Sequence, residues 1–543
     1  MGRPFSNSYL SGESAARAFV PLDVRSPAVR AERTRAAAAR RLDPALLDEL
    51  RAQQARLPAS PAREANLAAL AGGGTAVVAT GQQVGLFLGP LYSFYKAASA
   101  VAVARALAAE AGVPVVPLFW LQTEDHDFAE IAGCTVAGGD GTPAPLALPA
   151  EGASDARVSI AHRRLGPEVE PLLARLAELL PPGPAANETL ALLRAHYRAG
   201  QPLAGAFAGV LAELFRDQGL LIFDPRVAAA ARLAAPVAGR AIAEADAIGA
   251  DLARRAAELE AAGFDVQIPV RDDCALVFFH RDGATGPRHR LSRCPGGWAL
   301  VGSTHVASEA EVAAALAREP LRLSTSALLR PIVQDTLLPT AAYVGGPAEV
   351  SYFAQLGPLY ARFGLTPPLV VPRARFLCVD ARSRRLLREL ALSPADLLST
   401  AEDELRMRLP SSRPAGAPDP AALEAEARRI SDAAAELTGA IAQAQAADRN
   451  LGRAAARTRD SVFGALQRLV RRYHRTLAER DAVTADRVRR LYQALAPGGV
   501  PQERVYAWPS LAGRHGPAAL TRAVLDRLSA IDPFAGALQV IEP

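Results

Sequence analysis

The sequence predicts an α/β protein with a doubly wound parallel sheet, followed by a helical coiled coil. Two patterns carry this prediction. Near the start of the chain two short apolar runs flank a helical stretch, and beyond residue 385 apolar residues recur with heptad spacing. The length of 543 residues, half of them hydrophobic and 22% charged, indicates a globular chain of two or three domains.

The first elements along the chain form a βαβ unit. Residues 1–71 have helical spacing and are predicted to be a helical lead-in to the core. Residues 75–80 (TAVVAT) are predicted to form a buried strand, and Pro90 suits the first position of a helix that continues to about Ala111. Residues 113–122 form a second strand. This order of elements favours a parallel, doubly wound sheet.

The predicted core spans residues 72–384 and carries two insertions, at about 140–218 and 265–310. The first insertion is rich in proline, glycine and alanine before it becomes helical, and the second is irregular, with strand-like pieces such as Cys274–His280. Four further strand-like runs complete the predicted sheet, at residues 219–225, 331–339, 341–344 and 369–373.

Residues 385–500 are predicted to form an antiparallel helical coiled coil. Apolar residues recur at steps of seven through Leu423, Ile430 and Leu437, and a second long run repeats the pattern. A proline and two glycines end this region. The last segment, 501–543, contains an amphipathic stretch and is predicted to pack back on the core.

The composition of the chain indicates which binding partners and which cellular compartment to expect. The net charge of +5 is small for this length, and the arginine-rich runs at 471–475 and 487–490 are predicted to be solvated helix faces, so nucleic acid is not an expected partner. The four cysteines are far apart and form no Cys-x-x-Cys pair, which favours reduced thiols in a cytoplasm. No apolar run resembles a signal peptide or a membrane span.

The first candidate site surrounds Lys96, the only lysine in the chain. Its retention among 60 arginines indicates a position that needs a compact ammonium rather than a guanidinium. The glycines here let the backbone approach a ligand, although neither a dinucleotide fingerprint nor a phosphate loop is present. The alternative is a tight strand–helix connection. The predicted binding residues beside Lys96 are Gly81, Gln82, Gln83, Gly85, Gly89 and Tyr92.

The second candidate site is the run Glu124, Asp125, His126 and Asp127, which follows the second predicted strand. Ligands bind at this edge of open α/β sheets. Three carboxylates beside an imidazole are typical of a general base or of a hard metal site. Because no distant ligand set accompanies them, no metal is predicted. The alternative is an acidic start to a helix.

The third candidate site combines polar residues of the run at 331–339 with a second strand–glycine–helix pattern near residue 345. Polar residues inside an apolar strand are unfavourable unless they bond to a partner, so ligand contact and structural hydrogen bonding are the two interpretations. The residues of this site are Arg330, Gln334, Asp335, Tyr343, Gly345, Gly346, Glu349, Tyr352 and Arg373.

Three separated motifs resemble the bacillithiol biosynthesis cysteine-adding enzymes. They are residues 80–92 (TGQQVGLFLGPLY), 120–128 (WLQTEDHDF) and 329–347 (LRPIVQDTLLPTAAYVGGP), and the similarity continues to the QERVY stretch at 502–506. The resemblance implies a Rossmann-like core with two connecting insertions and a coiled coil that mediates homodimerisation. It also implies addition of L-cysteine to glucosaminyl-malate, the last step to bacillithiol.

This resemblance leads to a specific expectation for the chemistry. The cysteine carboxylate is activated by a nucleotide, with ATP the candidate, and the glucosamine amine attacks it. Lys96 and backbone N–H groups near Gly89 are expected to stabilise negative charge, and Asp125, His126 or Asp127 to accept the proton. Arg330 and Arg373 are expected to bind substrate carboxylates, because guanidinium forks match them.

Two other functions remain compatible with the residues alone. One is a nucleotidyl- or aminoacyl-transferase that acts on RNA through the arginine-rich helices. The other is a coiled-coil scaffold that senses a metabolite without turnover.

Overall fold

The computed structural model describes residues 2–139, 141–150, 152, 157–271, 273–409, 418–443 and 449–543. The predicted first insertion and coiled coil both include residues outside these ranges. Contacts divide the chain into two units, one of Met1–Cys378 with Glu503–Pro543, and one of Val379–Gln502. The borders expected from the sequence, at 384 and 500, lie a few residues away.

The first half of the chain begins with helices and continues into the sheet. The N-terminal helices are α1 (Phe5–Ser11), α2 (Ser14–Arg17), α3 (Pro27–Ala38), α4 (Pro44–Gln54) and α5 (Pro61–Gly72). Next come β1 (Ala76–Gln82), α6 (Leu91–Ala111), β2 (Val115–Leu121), α7 (Phe128–Ala132), β3 (Gly133–Ala137) and β4 (Pro143–Ala147). They are followed by α8 (Val169–Leu179), α9 (Pro184–His196), α10 (Leu203–Leu214), β5 (Leu221–Phe223), α11 (Ala228–Ala243) and α12 (Ala245–Ala261).

The second half completes the sheets and then forms the long helices. Up to the unit border it contains β6 (Cys274–His280), β7 (Arg288–Cys294), β8 (Gly297–Leu300), β9 (Val306–Ala307), α13 (Glu309–Arg318), β10 (Leu323–Thr325), α14 (Arg330–Leu337), β11 (Thr340–Gly345), α15 (Pro347–Phe353), α16 (Gly357–Arg362), β12 (Leu369–Pro372) and β13 (Arg375–Cys378). The remaining elements are α17 (Ala381–Glu389), α18 (Pro394–Ser399), α19 (Glu402–Arg408), α20 (Pro420–Gln443), α21 (Arg449–Arg480), α22 (Ala482–Leu495), α23 (Gln502–Val505), α24 (Pro509–His515), α25 (Pro517–Ser529) and β14 (Leu538–Ile541).

The central sheet is parallel throughout, with the strand order β12-β11-β1-β2-β5. Its middle strand β1 is buried along nearly its whole length because helices cover both faces of such a sheet, and Val77, Val78 and Ala79 are fully buried. The chain runs from β1 to β2 in one direction and places β11 and β12 on the other side. The crevice between β1 and β11 is therefore the topological switch point, where ligands bind in sheets of this kind. This confirms the predicted doubly wound, Rossmann-like α/β fold.

One predicted strand is wrong. The run at 331–339 is not a strand, because residues from Arg330 to Leu337 form helix α14. Pro331 stands in the first turn, where its missing N–H is not needed, and Ile332, Val333 and Leu337 turn towards the core. Pro90 also differs from expectation, since it caps α6 rather than being its first residue.

The two predicted insertions are ordered where the structure describes them. The first contributes β4, which pairs with the preceding strand β3, and helices α8 to α10; these elements pack around a second cluster of buried apolar residues. The second contributes β6 to β9, including the expected strand Cys274–His280, and these pair with the later strand β10 in an antiparallel sheet of order β10-β6-β7-β8-β9. At the end of the chain β14 pairs in parallel with β13, so the last segment joins the first unit.

The second unit is a helical coiled coil. Helices α20 and α21 are antiparallel neighbours, because His474 near the end of α21 lies 3.2 Å from Glu424 near the start of α20. The second heptad run is not one continuous helix, since α21 stops before Asp481, which caps α22 by accepting from the Thr484 amide. No helix in the described residues is long and apolar enough to cross a membrane.

Candidate functional site

A cavity of about 480 Å³ opens at the carboxyl edge of the central sheet, within the first unit. It lies beside the switch point, so the fold alone makes it the expected ligand site. The sequence-predicted residues that line it are Gln82, Tyr92, Lys96, Glu124, Asp125, His126, Arg330, Gly346, Glu349, Tyr352 and Arg373. The predicted residues that do not line it are Gly81, Gln83, Gly85, Gly89, Asp127, Gln334, Asp335, Tyr343 and Gly345.

An ion pair between Lys96 and Glu349 spans the switch point. Lys96 comes from the helix after β1, and Glu349 comes from the helix after β11. The ammonium also donates to the Gly81 carbonyl and to the Gln82 side-chain oxygen, each at 2.8 Å. With 3% of its side chain exposed and all three protons directed at acceptors, Lys96 anchors the two halves of the sheet rather than presenting a free charge.

The carboxylate of this pair is held ionised by its surroundings. Burial alone would raise the pKa of Glu349, but the Lys96 ammonium and hydrogen bonds from the Tyr343 hydroxyl and the Gly346 amide lower it below its ordinary value. Burial lowers the pKa of Lys96, and the Glu349 charge opposes that shift. Tyr343 therefore acts on the site through Glu349 and does not line the cavity.

In the third candidate site, one arginine faces the cavity and other polar side chains hold it in position through hydrogen bonds. Arg330 lines the cavity and donates to the Gln334 side-chain oxygen at 2.9 Å and to the Tyr352 hydroxyl at 2.8 Å. Gln334 donates in turn to Asp335, which also accepts from the Tyr360 hydroxyl. Ligand contact was expected for Gln334 and Asp335, but both are fully enclosed and orient Arg330 instead, as buried polar groups require partners.

Arg373 is already paired by a residue that sequence reasoning missed. Its guanidinium donates to both oxygens of Glu503, each at 2.8 Å, and both side chains are 3% exposed. The Arg373 amide donates to the Gly345 carbonyl, which fixes the end of β11. Although Arg373 lines the cavity, its charge is neutralised, so it is not the free carboxylate partner that the sequence predicted.

The residues that follow β2 form one wall of the cavity, and this wall carries the carboxylates of Glu124 and Asp125. Glu124 accepts from the Thr325 amide and hydroxyl through one oxygen, at 3.2 and 2.5 Å. Asp125 pairs with Arg288, another residue that the sequence did not indicate, at 3.3 Å. Arg288 is buried and also donates to the His126 ring at 3.3 Å. A strand of the second insertion thus completes this wall.

The Arg288 charge lowers the pKa of both Asp125 and His126. Burial would raise the pKa of Asp125, but the Arg288 charge, the His126 amide and the Gln83 side chain lower it. Burial and the same guanidinium lower the pKa of His126. Because a guanidinium only donates, the neutral His126 ring accepts at Nδ1 and carries its proton on Nε2. In this tautomer His126 donates at Nε2, and its predicted role as a base stays a prediction.

Asp127 has a structural role. It is exposed, and its carboxylate accepts from the Glu130 amide as the N-cap of α7, which corresponds to the acidic helix start that was the alternative interpretation. Gln83 stands behind the wall and donates to both Asp125 and Glu130 at 2.7 Å.

The glycine turn before α6 is packed, not open. Gly85 and Gly89 touch, and the three residues between them are fully buried. The Leu88 amide donates to the Tyr197 hydroxyl at 3.2 Å and the Gly89 amide to the Leu86 carbonyl at 2.8 Å. These donors have partners, so the turn does not fit a nucleotide phosphate or an oxyanion as predicted.

Comparison with known proteins divides the chain near residue 375, close to the border between the two units, but assigns the last segment to the C-terminal domain. Residues 2–374 match the family model for the N-terminal Rossmann-like domain of bacillithiol biosynthesis BshC, and residues 376–542 match its C-terminal coiled-coil domain. The chain belongs to the bacillithiol biosynthesis BshC family. All the residues that line the cavity except Arg504 lie in the Rossmann-like match of this BshC family member.

Similar BshC proteins cover most of the chain. A relative from Koribacter versatilis, named "Putative cysteine ligase BshC", is 37% identical over 83% of this chain and 81% of its own. Relatives with the same name from Solibacter usitatus and Salinibacter ruber are 34% identical over 87% and 85% of the two chains, and 31% identical over 91% and 89%.

The residues that sequence reasoning missed come from distant parts of this BshC family member. Arg288 lies in the irregular second insertion and carries no local signal. Glu503 and Arg504 lie in the QERVY stretch that helped to indicate the family, so that stretch was the only available pointer to them. Among the described residues, no three His, Cys, Asp or Glu side chains are grouped as metal ligands would be.

Proposed function

We propose that the chain joins L-cysteine to glucosaminyl-malate through an amide bond and so forms bacillithiol. The relatives' name, cysteine ligase, supports the cysteine part, and the family supports the pathway. The observation that carries the proposal is the distribution of unpaired charge in the cavity: Glu124, which forms no ion pair with a described residue, follows β2, whereas Arg330 and Arg504, which form none either, come from α14 and α23. A substrate with an amine at one end and carboxylates at the other fits this polarity. The four cysteines are free thiols, which suits the cytoplasmic location that we also propose.

The proposed chemistry is attack by the sugar amine on an activated cysteine carboxyl. The amine nitrogen forms a bond to the carbonyl carbon, the activating group leaves with its electron pair, and the nitrogen releases a proton. ATP stays in the proposal only as the source of activation. Because the glycine turn does not fit its phosphates, we assign no step to it.

The proton acceptor that we propose is Glu124. One of its oxygens is engaged by Thr325, which leaves the other without a partner among the described residues. The Asp125 carboxylate is instead engaged by Arg288, the His126 amide and Gln83, which lower its pKa. His126, with its proton on Nε2, would donate to the oxygen of the carbonyl under attack. Lys96 would act as a positioning residue through Glu349.

The test of this proposal is direct product analysis. The purified chain is incubated with L-cysteine, glucosaminyl-malate and ATP, and thiols are quantified by mass spectrometry. Glu124→Gln is expected to lower kcat by about 10²–10⁴-fold, the usual contribution of a general base. The matched control is Glu188→Gln, an exposed carboxylate on α9 away from the cavity. No product from the unaltered chain with any nucleoside triphosphate would refute the ligase assignment.

We also propose that the second unit mediates homodimerisation. Several apolar side chains of its long helices are exposed in the single chain, among them Leu437 at 64%, Leu469 at 66% and Phe463 at 53%. A second copy is the proposed occupant, because Leu437 and Phe463 belong to the heptad pattern that coiled coils bury.

Light scattering tests this dimer. The unaltered chain should have twice the monomer mass of 57.0 kDa, and Leu437→Glu should convert it to the monomer. Asp432→Lys, an exposed charge change on the opposite side of α20, should leave the dimer intact. A dimer that survives Leu437→Glu would place the interface elsewhere.

A further inference from the structure

The cavity contains more positive charge than its own carboxylates neutralise. Three of its cations have acidic partners: Lys96 pairs with Glu349, and Arg288 and Arg373 pair with Asp125 and Glu503 as described above. Two further cations, Arg330 and Arg504, line the same cavity and form no ion pair with any described residue. The site therefore has two guanidiniums available for anions.

Arg330 is the interior member of this pair. It is 7% exposed, and its hydrogen-bond partners, the Gln334 amide and the Tyr352 hydroxyl, are neutral. Its guanidinium also lies 5.1 Å from the centre of the Tyr343 ring. The carboxylate that acts on Arg330 electrostatically, Glu349, is already paired with Lys96, so this arrangement favours an anionic ligand that supplies a counter-charge to Arg330.

Arg504 is the member at the cavity opening. It lies on α23 directly after Glu503, whose two bonds to Arg373 fix the position of this short helix. The Arg504 side chain is exposed, so a ligand can reach it without any rearrangement of the core. Because Arg504 directly follows Glu503 in the chain, the buried ion pair holds its backbone in place. The N–H groups of its guanidinium can still donate to a ligand.

We propose that Arg504 is a specificity-determining residue which, together with Arg330, binds the two carboxylates of a dicarboxylate group on the amine substrate. This rests on the proposed function and adds to it the part of the site that selects malate. Two guanidiniums match two carboxylates in charge and in hydrogen-bond geometry. A substrate with one carboxylate would leave one of these cations unpaired and would bind more weakly.

Calorimetric binding with three ligands tests this inference without turnover. The ligands are glucosaminyl-malate and two analogues, glucosaminyl-lactate and the 3-hydroxypropanoate glycoside, each of which lacks a different malate carboxylate. Arg504→Gln should weaken binding of glucosaminyl-malate and of one analogue by about tenfold or more, and leave the other analogue unaffected. Arg504→Lys should recover part of the loss. The control is Arg522→Gln, an exposed arginine on α25, which should change none of the three.

The outcomes separate this inference from the function on which it rests. Equal affinities of Arg504→Gln and the unaltered chain for all three ligands would overturn the inference alone, as would an equal loss for all three. Binding as expected without any bacillithiol product would refute the ligase and leave the dicarboxylate site standing. If the unaltered chain binds none of the ligands, both are wrong. Because Arg504 is exposed, the unfolding midpoint of its variants should be unchanged, which checks that they fold.

Discussion

At the scale of single residues, Lys96 shows how a compositional anomaly and a structural role connect. The only lysine of the chain occupies a buried position where its ammonium meets Glu349, the Gly81 carbonyl and Gln82. A guanidinium is larger and planar, and its donors could not converge on these three acceptors from the same stem. The retention of lysine is explained by this geometry rather than by direct contact with a reacting group.

This role predicts the effect of removing the charge. Lys96→Met keeps the stem but leaves Glu349 buried without its counter-ion, so the free energy of unfolding should fall by about 3–5 kcal/mol. Adding Glu349→Gln should restore part of the loss, because the neutral amide no longer needs the ammonium. Urea denaturation of the two single variants and the double variant measures this coupling. A loss below about 1 kcal/mol in Lys96→Met would contradict the anchoring role.

At the scale of elements, the turn between β1 and α6 has a different role in the structure from the one that the sequence predicts. Its spaced glycines suggested an open ligand cradle, but they allow a closed turn in which two backbone segments touch. Gly89 has a φ of 59°, which favours glycine, and a Cβ on Gly85 would lie 2.9 Å from the Gly89 Cα. The turn thus holds α6, and with it Lys96, at a fixed height above the sheet.

Substitution at this contact should therefore be destabilising. Gly85→Ala forces two backbone segments apart and is expected to lower the free energy of unfolding by about 1–3 kcal/mol, as overpacking does. The control is Gly72→Ala in α5, where an added Cβ meets nothing within 4 Å. It should be neutral or stabilising by up to about 1 kcal/mol, because alanine is the better helix former. Equal stability of the two variants in denaturant titrations would show that the turn is loosely packed.

At the scale of the whole molecule, the first unit is closed by segments far apart in sequence. The end of the chain returns to pair β14 with β13, and Glu503 reaches Arg373 across 130 positions. The antiparallel sheet of the second insertion supplies Arg288 to the cavity wall, supported by Ser324 and by His280 beneath it. The site therefore depends on the whole unit being folded, and its stability should follow that of the insertion.

His280 makes this stability depend on pH. Burial and the charge of Arg226 lower its pKa from 6.5 to about 3, and its ring nitrogens contact Gly286 and Ser324. Between these pH values the unfolded chain binds a proton at His280 and the folded chain does not, so stability falls as pH decreases below 6.5. The loss attributable to this residue is about 1.4 kcal/mol per pH unit.

Denaturant titrations at pH 7, 5.5 and 4.5 check the pH effect. His280→Gln keeps a donor and an acceptor but cannot titrate, so its free energy of unfolding should decline less steeply with falling pH than that of the unaltered chain. Identical slopes for the two proteins would mean that His280 is protonated in the folded state.

Local sequence determined the elements whose signal does not depend on distant partners. The buried strands β1 and β2, helix α6 and the heptad pattern were predictable because apolar periodicity and turn residues act over a few positions. The carboxylate run after β2 and the glycine–helix start after β11 were also predicted, and they supply six of the predicted residues that line the cavity, since parallel strands bring their carboxyl ends together. The strand prediction for 331–339 is wrong because nine residues of mixed apolar and polar character suit either a strand or a short helix.

Only the tertiary structure decided which polar residues face the ligand and which support them. Sequence order cannot show that Arg373 forms an ion pair with Glu503 or that Lys96 forms one with Glu349. It also cannot show that Arg288 lowers the pKa of His126. Each of these pairings joins segments that come close only when the sheet and its insertion have folded, and each charge takes its role from the partner beside it. The sequence alone was sufficient to identify the family and eleven of the residues that line the cavity. The distinction between a free cation, such as Arg504, and a paired one required the three-dimensional contacts.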